Sequence, residues 1–180
     1  MKLAAIRHYD LAVQLIHRGM RLSIVSHVTG IHLKPLRSLH REILGRGATA
    51  GQMPSTRRIL ATRSAQATAS VFGAVYRSAG GTGIHDQIDI TALLTAYDLY
   101  RELLEVAVST ASPVKLLDIN QAWIIARDIQ TGAAYFHECR HCRIDFLSAA
   151  DASSPMDCPI CALRRQENAK QTVSQNKDNR

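Results

Sequence analysis

Cys139-Arg140-His141-Cys142 is answered by Cys158-Pro159-Ile160-Cys161, and these two C-x2-C pairs hold all four cysteines of the chain. Fifteen residues, Arg143 to Asp157, lie between them. Each pair forms a tight turn that aims two sulfurs at one point. A loop of this length brings the second turn back opposite the first, as a four-thiolate zinc site requires. Buried core cysteines would scatter along the chain rather than pair, and structural disulfides belong to secreted chains. A redox pair stays open as an alternative, because C-x-x-C lowers a thiol pKa. Iron is the other ion that thiolates accept. Doubling of the motif favours a metal, and soft tetrahedral ligation favours zinc, one ion per chain. His137 and His141 flank the first pair, but four thiolates already close the site. A closed site leaves no position for water or substrate, so the ion is read as structural. No P-loop, nucleophile elbow or carboxylate pair stands out, and an enzyme is not expected.

The rest of the 180-residue chain supports one domain of moderate size, or one with a small appendage. Apolar residues make up 46% of it, enough for a core. The first residues offer too short an apolar run for a signal peptide, and no stretch approaches the roughly 20 apolar residues of a membrane span. A cytoplasmic chain with reduced thiols is therefore expected. Net charge is +7, unevenly spread. Residues 1–63 carry eleven Lys/Arg against Asp10 and Glu42 (+9), residues 64–138 four against eight (−4), and the remainder seven against five (+2). A basic N-terminal third beside an acidic middle suits a polyanion at one end, with nucleic acid the foremost candidate.

Within that basic third, Ile6, Tyr9, Val13, Ile16 and Met20 fall at spacings of 3, 4, 3 and 4, a helical seam. It faces either the chain's own core or, as a narrow stripe, a partner helix. The next segment, 21–44, resembles a helix-turn-helix. Leu22 and Val25 mark a short helix, Thr29-Gly30-Ile31 the turn, and Leu33, Leu36, Leu39 and Ile43 the buried face of a second helix. Pro35 fits in that helix's first turn. Thr29 stands where such motifs usually place an apolar residue. The opposite face shows Lys34, Arg37, Ser38 and Arg41, three cations and a hydroxyl suited to phosphates and guanine edges. An ordinary solvated face is the competing reading, and the regional +9 tips the choice toward nucleic acid.

Glycine-rich residues 45–55 read as a linker, followed by a helical body over 56–132. One helix is expected from Thr56 to Ala79, with Arg57, Arg58 and Arg63 as further phosphate contacts, and others over 89–108 and 118–132. Trp123 is read as core. Short β-prone runs at Tyr135-Phe136 and 144–147 bracket the first cysteine pair, giving a zinc-ribbon-like module over 133–166. The polar tail, 167–180, reads as disordered. The expected fold is mainly α: a helical body, an N-terminal helix-turn-helix-like segment over 1–44 and a small C-terminal four-cysteine module.

Four features in this order resemble the FlhC family, the zinc-containing subunit of the bacterial flagellar master transcriptional activator. They are Leu11 to Ile16 with Gly19-Met20-Arg21-Leu22, the Leu33–Leu44 helix with its Gly/Pro linker, Gln121-Ala122-Trp123 with Gly132, and the four cysteines. Met53-Pro54-Ser55-Thr56 stands where the family usually reads Leu-Pro-Phe-Ser. The resemblance implies a DNA-binding activator of flagellar genes, assembled with a small helical partner, FlhD. It also implies zinc on Cys139, Cys142, Cys158 and Cys161. The residues by themselves leave a zinc-containing adaptor or RNA-binding protein as the alternative.

Overall fold

In the computed structural model, residues 2–49, 51–108, 116–151 and 157–178 are described. They form eight α-helices and a two-stranded antiparallel sheet, arranged as two units.

The first unit takes residues 1–53 and Asp118–Asn120. Helices α1 (Lys2–His17), α2 (Leu22–Thr29) and α3 (Leu33–Leu44) pack on one another around Ala12, Leu15, Ile16, Met20, Leu22, Ile24, Val25 and Leu36. The seam of α1 is divided. Ile16 and Met20 are fully inside this core, whereas Ile6 is 63% and Tyr9 44% exposed. Helices α2 and α3 are shorter than α1, and among the described residues its first turns stay exposed. Leu3, which spacing did not single out, extends the exposed part.

The α2–α3 turn forms around Gly30 at φ 70°, a left-handed cap whose N–H reaches the Ser26 carbonyl at 2.9 Å. Thr29 departs from the apolar pattern without leaving a buried hydroxyl unmet. Its Oγ1 donates to the Val25 carbonyl at 2.7 Å and accepts from the Ile31 N–H at 3.3 Å. Along α3, Leu36 and His40 are buried, while Leu39 and Ile43 are half-buried. Leu33 is 39% exposed, a correction to the expected inner face. His40 replaces it inside, its Nδ1 donating to the Arg46 carbonyl at 3.0 Å, since a carbonyl only accepts. The Asn120 side chain closes the α1–α2 turn, accepting from Arg21 N at 2.9 Å and donating to the Gly19 carbonyl at 3.1 Å.

The second unit holds the remaining elements. The expected single helix from Thr56 is two, α4 (Thr56–Ile59) and α5 (Arg63–Gly80). Thr62 starts the second, its hydroxyl accepting from Ala65 N at 3.2 Å, and Ser55 caps the first in the same way. Helix α5 packs on α6 (Ile90–Val108) through Phe72, Tyr76 and Tyr100, with Phe72 edge-on to Tyr100 at 5.8 Å. Tyr100 Oη accepts from Leu117 N at 2.9 Å, and Tyr97 Oη donates to the Leu117 carbonyl at 3.5 Å. These bonds fix the approach to α7 (Ile119–Gln130), in which Ala122 to Ala126, Trp123 included, are buried. Buried Asp128 accepts from the Thr56 hydroxyl at 2.6 Å and pairs with Arg127 at 2.7 Å.

Strands β1 (Ala134–Glu138) and β2 (Asp145–Ala149) pair from Ala134–Ala149 to Glu138–Asp145. Helix α8 (Pro159–Asp178) follows. Over residues 167–178 it stands where a disordered tail was expected, and the rest of that tail lies outside the described residues. The segment contains no glycine and no proline after Pro159, and Gln, Glu, Lys and Ala accept helical geometry at little cost. No described helix is long and apolar enough to cross a membrane.

Candidate metal centre and basic face

The first cysteine pair sits where β1 turns into β2. Arg143 at φ 60° and the Arg143 N to Cys139 carbonyl bond, 2.9 Å, close a tight knuckle, and Cys139 N bonds the Ile144 carbonyl at 3.1 Å. The second pair opens α8. Pro159 occupies the first helical position, where its missing N–H leaves no bond unmade, and Ala162 N reaches the Cys158 carbonyl at 3.0 Å. One pair comes from a hairpin turn and the other from a helix start, which orients the two sets of sulfurs from opposite sides.

The four Sγ atoms lie within 4.8 Å of one another. Contacts run crosswise between the pairs: Cys139 to Cys161 at 3.8 Å and Cys142 to Cys158 at 3.7 Å. A zinc ion bound at about 2.3 Å by four sulfurs sets tetrahedral edges of about 3.8 Å. These separations therefore fit a four-thiolate ion. They are far beyond the roughly 2.05 Å of a disulfide, and all four cysteines are free. Cys139, Cys158 and Phe146 are buried together, with Cys142, Cys161 and Ile160 partly buried against them.

Electrostatics differ across the cluster. Backbone N–H groups of Cys142 and His141 bring the Cys139 thiol down to about 6. Neighbouring Cys142 sulfur and then burial push that of Cys161 up to about 12, and burial raises that of Cys158. Four sulfurs this close cannot all carry negative charge unless a cation sits among them. The arrangement is that of a cation-binding cluster. His137 lies outside it, its ring 5.7 Å from that of Phe146.

A row on helix α5 went unread in the sequence. Gln66 Nε2 donates to the Leu147 carbonyl at 2.9 Å, and Leu147 N donates to Ser70 Oγ at 2.9 Å. These side chains satisfy the backbone edge of β2 that β1 does not pair. At Gly73 a Cβ would stand 2.7 Å from Leu147 Cδ1 and 3.1 Å from Phe136 Cζ, so the missing side chain lets the hairpin lie close to the helix. Arg77 pairs with Asp145 at 2.7 Å and covers the Phe136 ring at 4.2 Å. Gln66, Ser70, Gly73 and Arg77 follow helical spacing, but a polar stripe on a helix ordinarily reads as its solvated face.

On α3 of the first unit, Lys34, Arg37, Ser38 and Arg41 are all exposed. Arg57 and Arg58 on α4 are exposed as well. Arg63 is half-buried and bonds the Asp157 carbonyl at 2.8 Å.

The model of the family described as flagellar transcriptional activator (FlhC) matches residues 3–174. The flagellar transcriptional regulator FlhC of Cupriavidus metallidurans is 27% identical over 161 residues, covering 89% of this chain and 73% of the relative. That of Cupriavidus necator is 29% identical over 152 residues (84% and 72%). That of Proteus mirabilis is 26% identical over 174 residues (92% and 84%). With the family match spanning nearly all of its length and four sulfurs gathered at its C-terminal hairpin, the chain belongs to the FlhC family of flagellar transcriptional activators.

Proposed function

We propose that this chain is the DNA-binding subunit of a cytoplasmic activator of flagellar genes. In this reading it carries one structural Zn2+ and assembles with a small helical, FlhD-like partner. Family membership supports the regulatory role. The observation that carries the DNA reading is the exposed row on α3: three cations and a hydroxyl within two helical turns, following a glycine turn. Lys34, Arg37, Ser38 and Arg41 would meet the duplex. The guanidinium groups are suited to bidentate pairing with guanine or to clamping phosphates, and the lysine and serine to phosphate oxygens. Arg57 and Arg58 would add phosphate contacts. The exposed apolar start of α1, Leu3, Ile6 and Tyr9 with half-buried Val13, offers a helical partner a ridge. Cys139, Cys142, Cys158 and Cys161 would hold the zinc ion, which supplies a cross-link between hairpin and helix and leaves no site for substrate.

Fluorescence anisotropy tests this on the full chain, co-expressed with the small helical protein that assembles with it, using a flagellar-promoter duplex with competitor DNA. Binding should survive competitor and weaken steeply with salt. Each cation that meets a phosphate contributes about 0.9 to the slope of log K against log salt. The Arg37→Ala/Arg41→Ala variant should bind at least tenfold more weakly while keeping its helical content. Equal affinity for promoter and unrelated duplexes, or an unweakened double variant, would overturn the assignment and favour an adaptor.

A further inference from the structure

The two cysteine pairs are far apart in sequence from helix α5, yet its first two turns touch the approaches to both. Arg63 Nη1 donates to the carbonyl of Asp157, the residue directly before Cys158, at 2.8 Å, and to Gln66 Oε1 at 3.4 Å. Gln66 in turn donates from Nε2 to the Leu147 carbonyl, and Ser70 Oγ, bonded to the Gln66 carbonyl at 2.6 Å, accepts from Leu147 N. Strand β2, which contains Leu147, leaves the first knuckle within three residues of Cys142. One side of Gln66 therefore holds the strand that fixes Cys139 and Cys142, and the other meets the guanidinium that fixes Cys158. Asp157 has a second, looser tie, its carboxylate 3.7 Å from Arg165 on α8, but both of those groups are largely exposed and contribute little.

We propose that Arg63 is a positioning residue of the metal centre: it locks the second cysteine pair in register with the first through Gln66. The inference rests on the reading of the four sulfurs as a metal site. Its physical basis is the order of cost. A tetrahedral ion tolerates little error in sulfur positions, and ligands whose supports are removed typically lose 10–100-fold in metal affinity. Arginine suits the place because one planar, permanently charged group makes both bonds from a fixed geometry.

The test uses the full-length zinc-loaded protein and the rate of zinc transfer to the chromogenic chelator 4-(2-pyridylazo)resorcinol. Arg63→Ala should release zinc about tenfold faster than wild type, with far-ultraviolet circular dichroism unchanged. Arg63→Lys, whose shorter side chain ends in one nitrogen without the planar guanidinium, should fall between the two. Arg101→Ala, altering an exposed pair with Glu105 on α6, should match wild type. Release from Arg63→Ala at the wild-type rate overturns the positioning role. Should Arg63→Ala not fold, Arg63→Lys decides, and wild-type kinetics there overturn it equally. Wild-type protein holding no zinc after loading would instead remove the metal reading itself, an outcome visible before any variant is compared.

Discussion

At the residue scale the least conspicuous position with the largest consequence is Gly73. Alanine is the better helix former by about 1 kcal/mol, so the glycine is tolerated inside α5 for its lack of a side chain. Leu147, against which a Cβ would press at 2.7 Å, is itself fully buried and has little room to yield. Gly73→Val is expected to lower stability by about 1–3 kcal/mol through overpacking, measured by denaturant unfolding. An unchanged midpoint would mean that the hairpin does not rest on this helix. Gln66 is comparably placed, being 1% exposed. Gln66→Leu leaves the Leu147 carbonyl without its donor and should cost about 1–3 kcal/mol. Neither residue was visible as important in the sequence, because a glycine and a glutamine in a helix carry no signal of what lies opposite.

At the scale of elements, α1 shows how one stripe serves two ends. Ile16 lies inside the three-helix core, and Ile16→Ala should cost about 2–5 kcal/mol. Ile6, 63% exposed, should change stability by less than about 0.5 kcal/mol when replaced by alanine. The partner reading of α1 makes the opposite prediction for assembly: Ile6→Glu should weaken co-purification of the helical partner without unfolding the chain. Paired thermal melts and pull-downs separate the two roles, and a partner retained in full by Ile6→Glu would move its docking surface elsewhere. The seam itself was legible from its 3-4-3-4 spacing. Where along it the burial stops was not, because that depends on the lengths of α2 and α3 relative to α1.

For the whole molecule, the metal centre is the expected determinant of order at the C-terminal side. Zinc–thiolate binding in small modules is worth on the order of 10–16 kcal/mol, comparable with a domain's net stability of roughly 5–15 kcal/mol. The hairpin has two strands only, too few to stand alone in water. Removal of metal by a strong chelator is therefore expected to speed hydrogen exchange of the β1 and β2 amides many-fold, read by mass spectrometry, and Cys142→Ser should do the same without chelator. Protection that persists after complete metal loss would show that packing on α5 suffices.

Several features were determined by the sequence alone because they are local. The cysteine spacing specifies two turns and a returning loop. Helix periods follow from residues three and four apart, the left-handed cap at Gly30 from its missing side chain, and the cation row on α3 from its order in the chain. The family, too, was legible from motifs in their order. Tertiary structure decided what joins distant residues: Gln66 to Leu147, 81 positions away, and Arg63 to Asp157, 94 away. Those contacts turn a polar stripe into a seat for the hairpin and give Arg63 an internal partner. No pattern along the chain encodes them, since hydrogen-bonding capacity is a property of a residue while its partner is a property of the packed fold.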